Sequence, residues 1–568
     1  MGSTTGNTEP RAAIGIDLGT TNCALAYTQN ETVEQFAIPQ FVHPGEVSEE
    51  PLLPSFLYLE NGDTIAGVLA QKKGLENAGR LVSSAKSWLS HPGVDRTAAI
   101  LPPNAPEGVA RISPVEASRR YLQHLREAWN TKNPGDSFDA RQALVTVPAS
   151  FDAVARDLTL KAAEEAGYRN VILLEEPQAA FYAWIERNPD WRDLVGVGDL
   201  ILVIDIGGGT TDFTLIEVQD RGGEIALERV AVGEHILLGG DNVDAALAHT
   251  VADQLPRKLD TMQFHALWQH CRAAKEKLLT PGSKEKEEPI TILGRGTGVV
   301  GGSLKTKLKR SDLESILLDG FLPQASIDDV PQGQRAALTE FGLPYAADAG
   351  ITRHLAQFLQ RQGAKPTHVL FNGGVLRANL VRERILEVLN GWMPHPVKAL
   401  ASGDLMHAVA RGAAYYGLAR QGRGVRVRGG VPRSYYIGIE AAVPAVPGRK
   451  PPLKALTVVP FGMEEGTGHQ IRDREFALSL GGRAQFRFFQ SAERKEDPAG
   501  LLLEEIAPGM EELSPVEVLL PGNPAESVPV TLESLVTETG VLELWFVARD
   551  GRRWKLEFNV RSKSRRAA

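Results

Sequence analysis

The chain has 568 residues, too many for a single hydrophobic core, so several domains are expected. A hydrophobic content of 43% with 23% charged residues excludes the disordered, collagen-like and disulfide-scaffold classes. The net charge of −8 argues against nucleic acid as a partner, and two cysteines, Cys23 and Cys271, suit a reducing compartment and lack metal-ligand spacing.

Residues 1–12 are polar and read as a disordered N-terminus without the charged head and apolar middle of a secretory signal. No apolar run approaches the roughly 18 residues of a membrane helix, so the expectation is a cytoplasmic chain with no membrane partner. From 13 to 420, strand-like runs such as Ala143–Val147 and Val171–Leu174 alternate with helical patterns such as Val154–Glu165 and Pro177–Glu186. This alternation predicts an α/β architecture. Residues 421–431 are Gly- and Arg-rich without periodicity and read as a linker. From 432 to 568 a period of two takes over, predicting a smaller all-β domain. Gly481–Gly482 and Asp550–Gly551 are expected to turn two hairpins within it. The basic C-terminal cluster around Arg561–Arg566 reads as a solvated tail.

The sharpest feature is duplicated. Ile14–Asn22 (IGIDLGTTN) and Val203–Asp212 (VIDIGGGTTD) are each an apolar strand ending in Asp, a Gly/Thr turn, and a further apolar strand. Glycines let backbone N–H groups approach phosphate oxygens, and the hydroxyls add donors. The terminal Asp can hold Mg²⁺ through water or accept a proton from an attacking water. One such turn would be an ordinary hairpin; two copies about 188 residues apart suit a duplicated, two-lobed fold with one phosphate turn from each lobe. A third glycine pair, in His368–Arg377 (HVLFNGGVLR), ends a strand before a helical pattern at Leu380–Leu389 and allows close approach of a flat ligand.

These elements, in this order, resemble the actin–hexokinase–heat-shock superfamily, and within it the 70-kDa heat-shock chaperones. The resemblance extends to Ser84–Leu89 (SAKSWL), Thr146–Phe151 (TVPASF), Leu174–Ala180 (LEEPQAA), Leu238–Asp244 (LGGDNVD) and Cys271–Lys275 (CRAAK). It covers residues 13–420 well and continues more weakly into the β tail. It implies an actin-like ATPase domain, with lobes at about 13–190 and 191–420, then a sandwich-like peptide-binding β domain.

Carried over residue by residue, the resemblance places Mg²⁺ near Asp17, Asp205 and Asp212, largely through water. Gly19, Thr20, Thr21 and Asn22 face Gly207, Gly208, Gly209, Thr210 and Thr211 around the phosphates of ATP or ADP. Lys86, Glu176, Asp205 and Thr210 are the implied catalytic residues, Lys86 stabilising the γ-phosphoryl charge while Glu176 and Asp205 hold and deprotonate the water. Gly240, Lys275, Gly373, Gly374 and Arg377 surround the adenosine. The implied partners are unfolded or extended polypeptides, with a J-domain co-chaperone and a nucleotide-exchange factor.

Departures are visible too. In the family's adenosine helix, Glu, Lys, Arg and Ser recur at regular spacing; Arg272, Lys275, Glu276 and Leu279 stand there, and Val375 replaces a serine. The apolar, acidic linker and the helical lid of the family have no counterpart. A nucleotide-gated scaffold with little hydrolysis, or a small-molecule kinase, therefore stay as alternatives. Gly296–Gly301 (GTGVVG) spells a dinucleotide fingerprint, but no helix pattern opens at its third glycine, so a hairpin turn is the better reading. His235, His265 and His270 form no metal spacing, and Cys23 reads as a small buried side chain. Phe461 and Met463 stay open between sheet core and peptide groove.

Overall fold

The computed structural model describes residues 12–559, apart from 61, 92, 104, 152, 222–223, 234–235, 293–302, 334–342, 344, 424–426, 429–430, 432, 445–450, 464–466, 492, 514–515, 524–525 and 538–540. The chain divides into two compact units, one up to residue 426 without 228–230, the other from 427 onward with 228–230.

The first unit is mixed α/β and holds two large sheets. The first is built from β1 (Ala13–Leu18), β2 (Asn22–Gln29), β3 (Thr32–Gln35), β4 (Gln142–Val147) and β5 (Val171–Glu175), ordered β5-β4-β1-β2-β3. Strands β4 and β5 run parallel to β1, while β2 returns antiparallel through the first Gly/Thr turn. The helices of this half include α1 (Ala85–Leu89), α2 (Pro114–Lys132), α3 (Ala153–Glu165) and α4 (Glu176–Arg187). Ser113 caps α2 by accepting from the Glu116 N–H at 3.0 Å, and Pro114 takes the first helical position, where its missing N–H costs nothing.

The second sheet repeats the plan. Strands β6 (Leu200–Ile206) and β7 (Thr211–Arg221) form an antiparallel pair through the second Gly/Thr turn. Helices α5 (Gly240–Asp253) and α6 (Thr261–Leu279) follow, then the antiparallel pair β8 (Glu287–Ile292) and β9 (Leu304–Lys309). Strand β10 (His368–Asn372) lies parallel to β6, with β11 (Lys398–Ala399) beyond it. Helices α7 (Asn379–Trp392) and α8 (Ala408–Arg420) are among those that follow. An Asp260/Gln263 capping box starts α6, satisfying two otherwise orphaned N–H groups. Separate hydrophobic cores cover the two sheets.

Helix α8 lies across the first sheet although it follows the second in sequence, and small residues let it do so. A Cβ on Gly15 of β1 would sit 2.2 Å from the Ala410 carbonyl oxygen, and one on Gly417 would sit 2.3 Å from the Ala13 Cβ. Gly412 meets the Ala179 carbonyl of α4 at a hypothetical Cβ distance of 1.7 Å. The partner atoms are backbone or a rigid alanine Cβ, so the clash has no cheap escape.

In the second unit, β12 (Ser434–Glu440), β13 (Leu453–Val459), β14 (Thr467–Ser479), β15 (Gly482–Phe486), β16 (Phe488–Ser491), β17 (Val516–Leu520), β18 (Ser527–Val536), β19 (Val541–Ala548) and β20 (Arg553–Asn559) carry the fold. One sheet includes β13-β12-β16, another runs β14-β18-β19-β20, and β15 pairs with β17. The alternating apolar positions Tyr435, Ile437, Leu456 and Val458 share one core with Leu532, Leu544, Phe546 and Leu556. No helix occurs here among the described residues.

The Asp550–Gly551 hairpin forms between β19 and β20, with Gly551 at φ +89°. The Gly481–Gly482 hairpin does not. Gly481 turns the chain at φ +82°, but β14 pairs with β18 and β15 pairs with β17, so the strands on either side go to different sheets. Met463 belongs to the core, and Phe461 lies under the Lys495 ammonium. His235 and the Gly296–Gly301 segment lie outside the described residues, although the strands flanking that segment, β8 and β9, are an antiparallel pair.

Replacing Gly by Ala in a helix ordinarily stabilises by about 0.5–1 kcal/mol. At Gly412 the clash with α4 is expected to win, giving a net loss of about 1–3 kcal/mol for Gly412→Ala by chemical denaturation. An unchanged or higher midpoint would contradict the close α4–α8 crossing.

Candidate functional site

The two Gly/Thr turns meet. A Cβ on Gly208 would lie 1.9 Å from Thr21 Oγ1, and one on Gly209 would lie 3.0 Å from Thr20 Cγ2, so the threonines of the first turn pack where the second turn needs glycine. Strand register sets each aspartate at its turn: Asp17 pairs with Ala24 across β1/β2, and Asp205 pairs with Asp212 across β6/β7. The first turn is braced by Ser55, whose hydroxyl donates to the Gly19 carbonyl at 2.7 Å. The second is braced by the start of α5, where the Gly240 and Asp241 N–H groups donate to Gly207 and Gly208 carbonyls at 3.0 and 2.7 Å.

Beneath the turns lies a cavity of about 320 Å³, a size suited to a small-molecule ligand. Asp17, Lys86, Glu176 and Asp205 line its floor. Lys86, at the start of α1, is buried and paired with Glu176, the first residue of α4. Ser84, just before that helix, adopts a left-handed φ of 52° and donates to Asp241 at 2.7 Å, tying α1 to α5. The neighbouring Glu175 is held away by a buried ion pair with Arg156 at 3.0 Å, which leaves Glu176 to face the cavity.

These charges strain one another. Burial, then the Glu176 carboxylate, push Asp17 up to about 7 against the pull of Lys86. Burial pushes Asp212 up to about 7 as well, although Ser150 donates to it at 2.6 Å. Burial and Glu176 raise Asp205 well above the usual carboxylate range, opposed by a 2.7 Å hydrogen bond from Asn372. Burial alone would lower Lys86; the Glu176 and Asp17 carboxylates override it and raise it. An excess of buried negative charge fits a hydrated divalent cation arriving with its phosphates. Among the described residues, no group of three or more His, Cys, Asp or Glu side chains is arranged to hold a metal directly.

The outer end of the cavity differs in character. Leu52, Leu279, Pro281, Leu317, Val375 and Met406 give it apolar walls. Gly373, at φ +95°, packs its Cα against the Ile206 carbonyl and Asp205. Arg272 is buried between Asp241 and Asp244, bonding Asp244 at 2.9 Å, and its guanidinium stands over the Phe56 ring. Lys275 closes the cluster, 2.7 Å from Asp244 and 3.3 Å from the Gly240 carbonyl. Burial raises the Glu276 carboxylate, with Lys275, Arg272 and Arg377 opposing.

Of the residues singled out in the sequence, Asp17, Gly19, Thr20, Thr21, Asn22, Lys86, Glu176, Asp205, Gly207, Gly208, Thr210, Gly240, Lys275, Gly373, Gly374 and Arg377 line this one cavity. Gly209, Thr211 and Asp212 do not; Thr211 instead turns inward and donates to the Leu238 carbonyl at 2.8 Å. Asn372, Asp241, Asp244 and Arg272 escaped the sequence reading as site residues. Each lies in a segment that the sequence singles out, Leu238–Asp244, Cys271–Lys275 or His368–Arg377, but carries no assigned role there, Arg272 reading as a departure from the adenosine helix.

A divalent cation favours the ionised carboxylates, so binding Mg²⁺ with ADP near pH 7 should release protons from Asp17 and Asp212, both now at about 7. Calorimetry in buffers of different ionisation enthalpy is expected to show net release that shrinks above pH 8. Net uptake would contradict the charge balance. The same raised values mean that, without ligand, this cluster's contribution to stability is present below the ordinary carboxylate value and lost as pH rises through about 7. Arg272→Leu, which removes the buried guanidinium that Asp241 and Asp244 share, should cost about 3–5 kcal/mol in denaturant unfolding.

The family model described as Hsp70 protein matches residues 13–324. A chaperone protein HscA homolog of Delftia acidovorans is 32% identical over 316 residues, covering 54% of this chain and 46% of that protein. HscA homologs of Bordetella pertussis (29% identical; 65% of this chain, 58% of that protein) and Colwellia psychrerythraea (31%; 50% and 44%) are similar. The chain spans about half the length of the curated relatives it matches. No helix among the described residues is long and apolar enough to cross a membrane.

Proposed function

This chain belongs to the Hsp70 family, and on that premise we propose that its cleft binds and hydrolyses Mg·ATP to control the binding of unfolded or extended polypeptide. The observation that carries the reading is the meeting of two Asp-ended Gly/Thr turns over a floor of carboxylates and one buried lysine. The domain plan that goes with it is a two-lobed actin-like domain at 13–420 (lobes 13–190 and 191–420), a linker at 421–431 and a sandwich-like substrate-binding β domain at 432–568.

Thr20, Thr21, Asn22 and the Gly207–Thr210 turn present N–H and hydroxyl donors to the phosphate oxygens. Lys86, fixed by Glu176, places positive charge where the transferred γ-phosphoryl group develops its own. Glu176 and Asp205 orient and deprotonate the attacking water, and burial with the Glu176 charge raises the proton affinity of Asp205 for that task. Asp17, Asp205 and, from behind the turn, Asp212 would hold Mg²⁺ through water; when bound, the ion neutralises phosphate charge and aligns the leaving group. The apolar outer walls suit a planar base, with Gly373 and Gly374 allowing close approach.

Extended polypeptide is the client proposed for the β strands, recognised through main-chain hydrogen bonds and apolar pockets. A J-domain co-chaperone, a nucleotide-exchange factor and a cytoplasmic location complete the reading. The replaced adenosine-helix residues favour one competitor, a nucleotide-gated scaffold with little hydrolysis.

Single-turnover hydrolysis separates these. Wild type should convert Mg·ATP to ADP and phosphate, and Asp205→Asn should slow this by about 10²-fold or more while still binding ADP. A wild type that binds without hydrolysing would leave the scaffold reading, and transfer to sugars or polyols would indicate a kinase. Anisotropy of a labelled apolar peptide should respond to ATP; indifference to nucleotide would remove the chaperone role.

A further inference from the structure

Asn372 occupies a position that the proposed chemistry does not use. It ends β10 directly beside Asp205 in the parallel β6–β10 register. Its side chain is 1% exposed, and its Nδ2 donates to Asp205 Oδ2 at 2.7 Å. The other carboxylate oxygen, Oδ1, lies against the Gly373 Cα, where a Cβ would come within 2.6 Å. Asp205 is thus hydrogen-bonded through one oxygen and packed against the Gly373 backbone with the other. A side-chain amide that must donate to a carboxylate has its orientation decided: the oxygen points away.

That oxygen, Asn372 Oδ1, is buried and has no hydrogen-bond partner in the protein. Asn372 also lines a second, smaller cavity of about 20 Å³, behind the cleft. Trp184 of α4 lines the same cavity, and its indole N–H is likewise buried without a partner. The two residues that carry this orphaned acceptor and this orphaned donor thus line one space of about 20 Å³, above the roughly 10–15 Å³ that a water needs. An unsatisfied buried polar group costs about 1–3 kcal/mol, so two around a space of water size indicate an occupant.

We propose that an ordered water bridges the Trp184 indole N–H to Asn372 Oδ1, making Asn372 a positioning residue that holds the Asp205 carboxylate for attack on the γ-phosphate. The water accepts from Trp184 and donates to Asn372; Asn372 in turn donates to Asp205. Trp184 sits on the helix whose first residue is Glu176, so one line of hydrogen bonds joins the elements that carry both water-orienting carboxylates. Ser402 and Asp404 border the same cavity, and the Ser402 hydroxyl donates to the Phe371 carbonyl at 3.0 Å, steadying the strand end next to Asn372. The kinetic consequence rests on the ATPase reading; the water site does not.

Two measurements test it. In the full chain, the Trp184 indole proton, assigned through Trp184→Phe, should give an NMR cross-peak to a long-lived water, and Asn372→Leu should abolish it. In single-turnover hydrolysis, Asn372→Leu should lower the rate by about tenfold with ADP affinity held within about twofold. Trp184→Phe removes only the N–H, and should show the same split with a smaller loss; it keeps the test valid if Asn372→Leu unfolds the protein. Absence of the cross-peak in wild type, rate and affinity falling together, or no change in rate would each overturn the proposal. Should wild type not hydrolyse ATP at all, the ATPase reading falls, and the cross-peak then decides the water site by itself.

Discussion

Negative charge crowded into a small buried volume is the constraint around which the first unit is arranged. Asp17 and Asp205 end parallel-sheet strands, Glu176 opens a helix, and Asp212 begins a returning strand, so backbone geometry delivers four carboxylates to one place. The Lys86 ammonium faces them, and burial with mutual repulsion lifts Asp17 and Asp212 to about 7. Such a cluster is costly alone and becomes favourable with a cation and phosphates. Other local features serve it. Glycines let the turns abut, Ser84 ties the lysine helix to α5, and Asn372 donates to the buried Asp205 carboxylate.

The outer end of the cleft follows a different logic. Arg272 and Lys275 are spent on Asp241 and Asp244, giving two cations and two anions that neutralise one another within the wall. Residues that from sequence looked like losses from an adenosine site are thus a self-contained ion cluster, and the Phe56 ring packs against its guanidinium. What remains for a ligand there is apolar surface with Glu276 and Arg377 nearby, a poor source of base selectivity by hydrogen bonding. Affinity in this protein should therefore come mainly from the phosphate end.

Much of this was legible from the sequence where the signal is local. The strand–turn–strand pattern at Asp17 and again at Asp205 states its geometry directly, because a Gly/Thr turn after an apolar run leaves few alternatives. Helices at Ala153–Glu165 and Glu176–Arg187 followed from periodicity, and the Asp550–Gly551 hairpin from turn chemistry. The Gly481–Gly482 hairpin failed because pairing is decided by distant strands, Val516–Leu520 and Ser527–Val536, which no local window contains. Asn372 escaped for a related reason. Its meaning comes from a parallel register with Asp205, 167 positions away, and an asparagine before Gly-Gly otherwise reads as turn chemistry. Thr211 shows the converse, since a hydroxyl in a phosphate-like motif is consumed by the Leu238 carbonyl.

The central claim is that the paired turns bind phosphate and that this end of the ligand dominates recognition. Calorimetric titration of the wild-type protein with adenosine, AMP and ADP, each with Mg²⁺, tests it most directly. Affinity is expected to rise steeply with phosphate number, with ADP at least about 10²-fold tighter than adenosine, corresponding to about 2.7 kcal/mol. Adenosine binding as tightly as ADP would contradict the account.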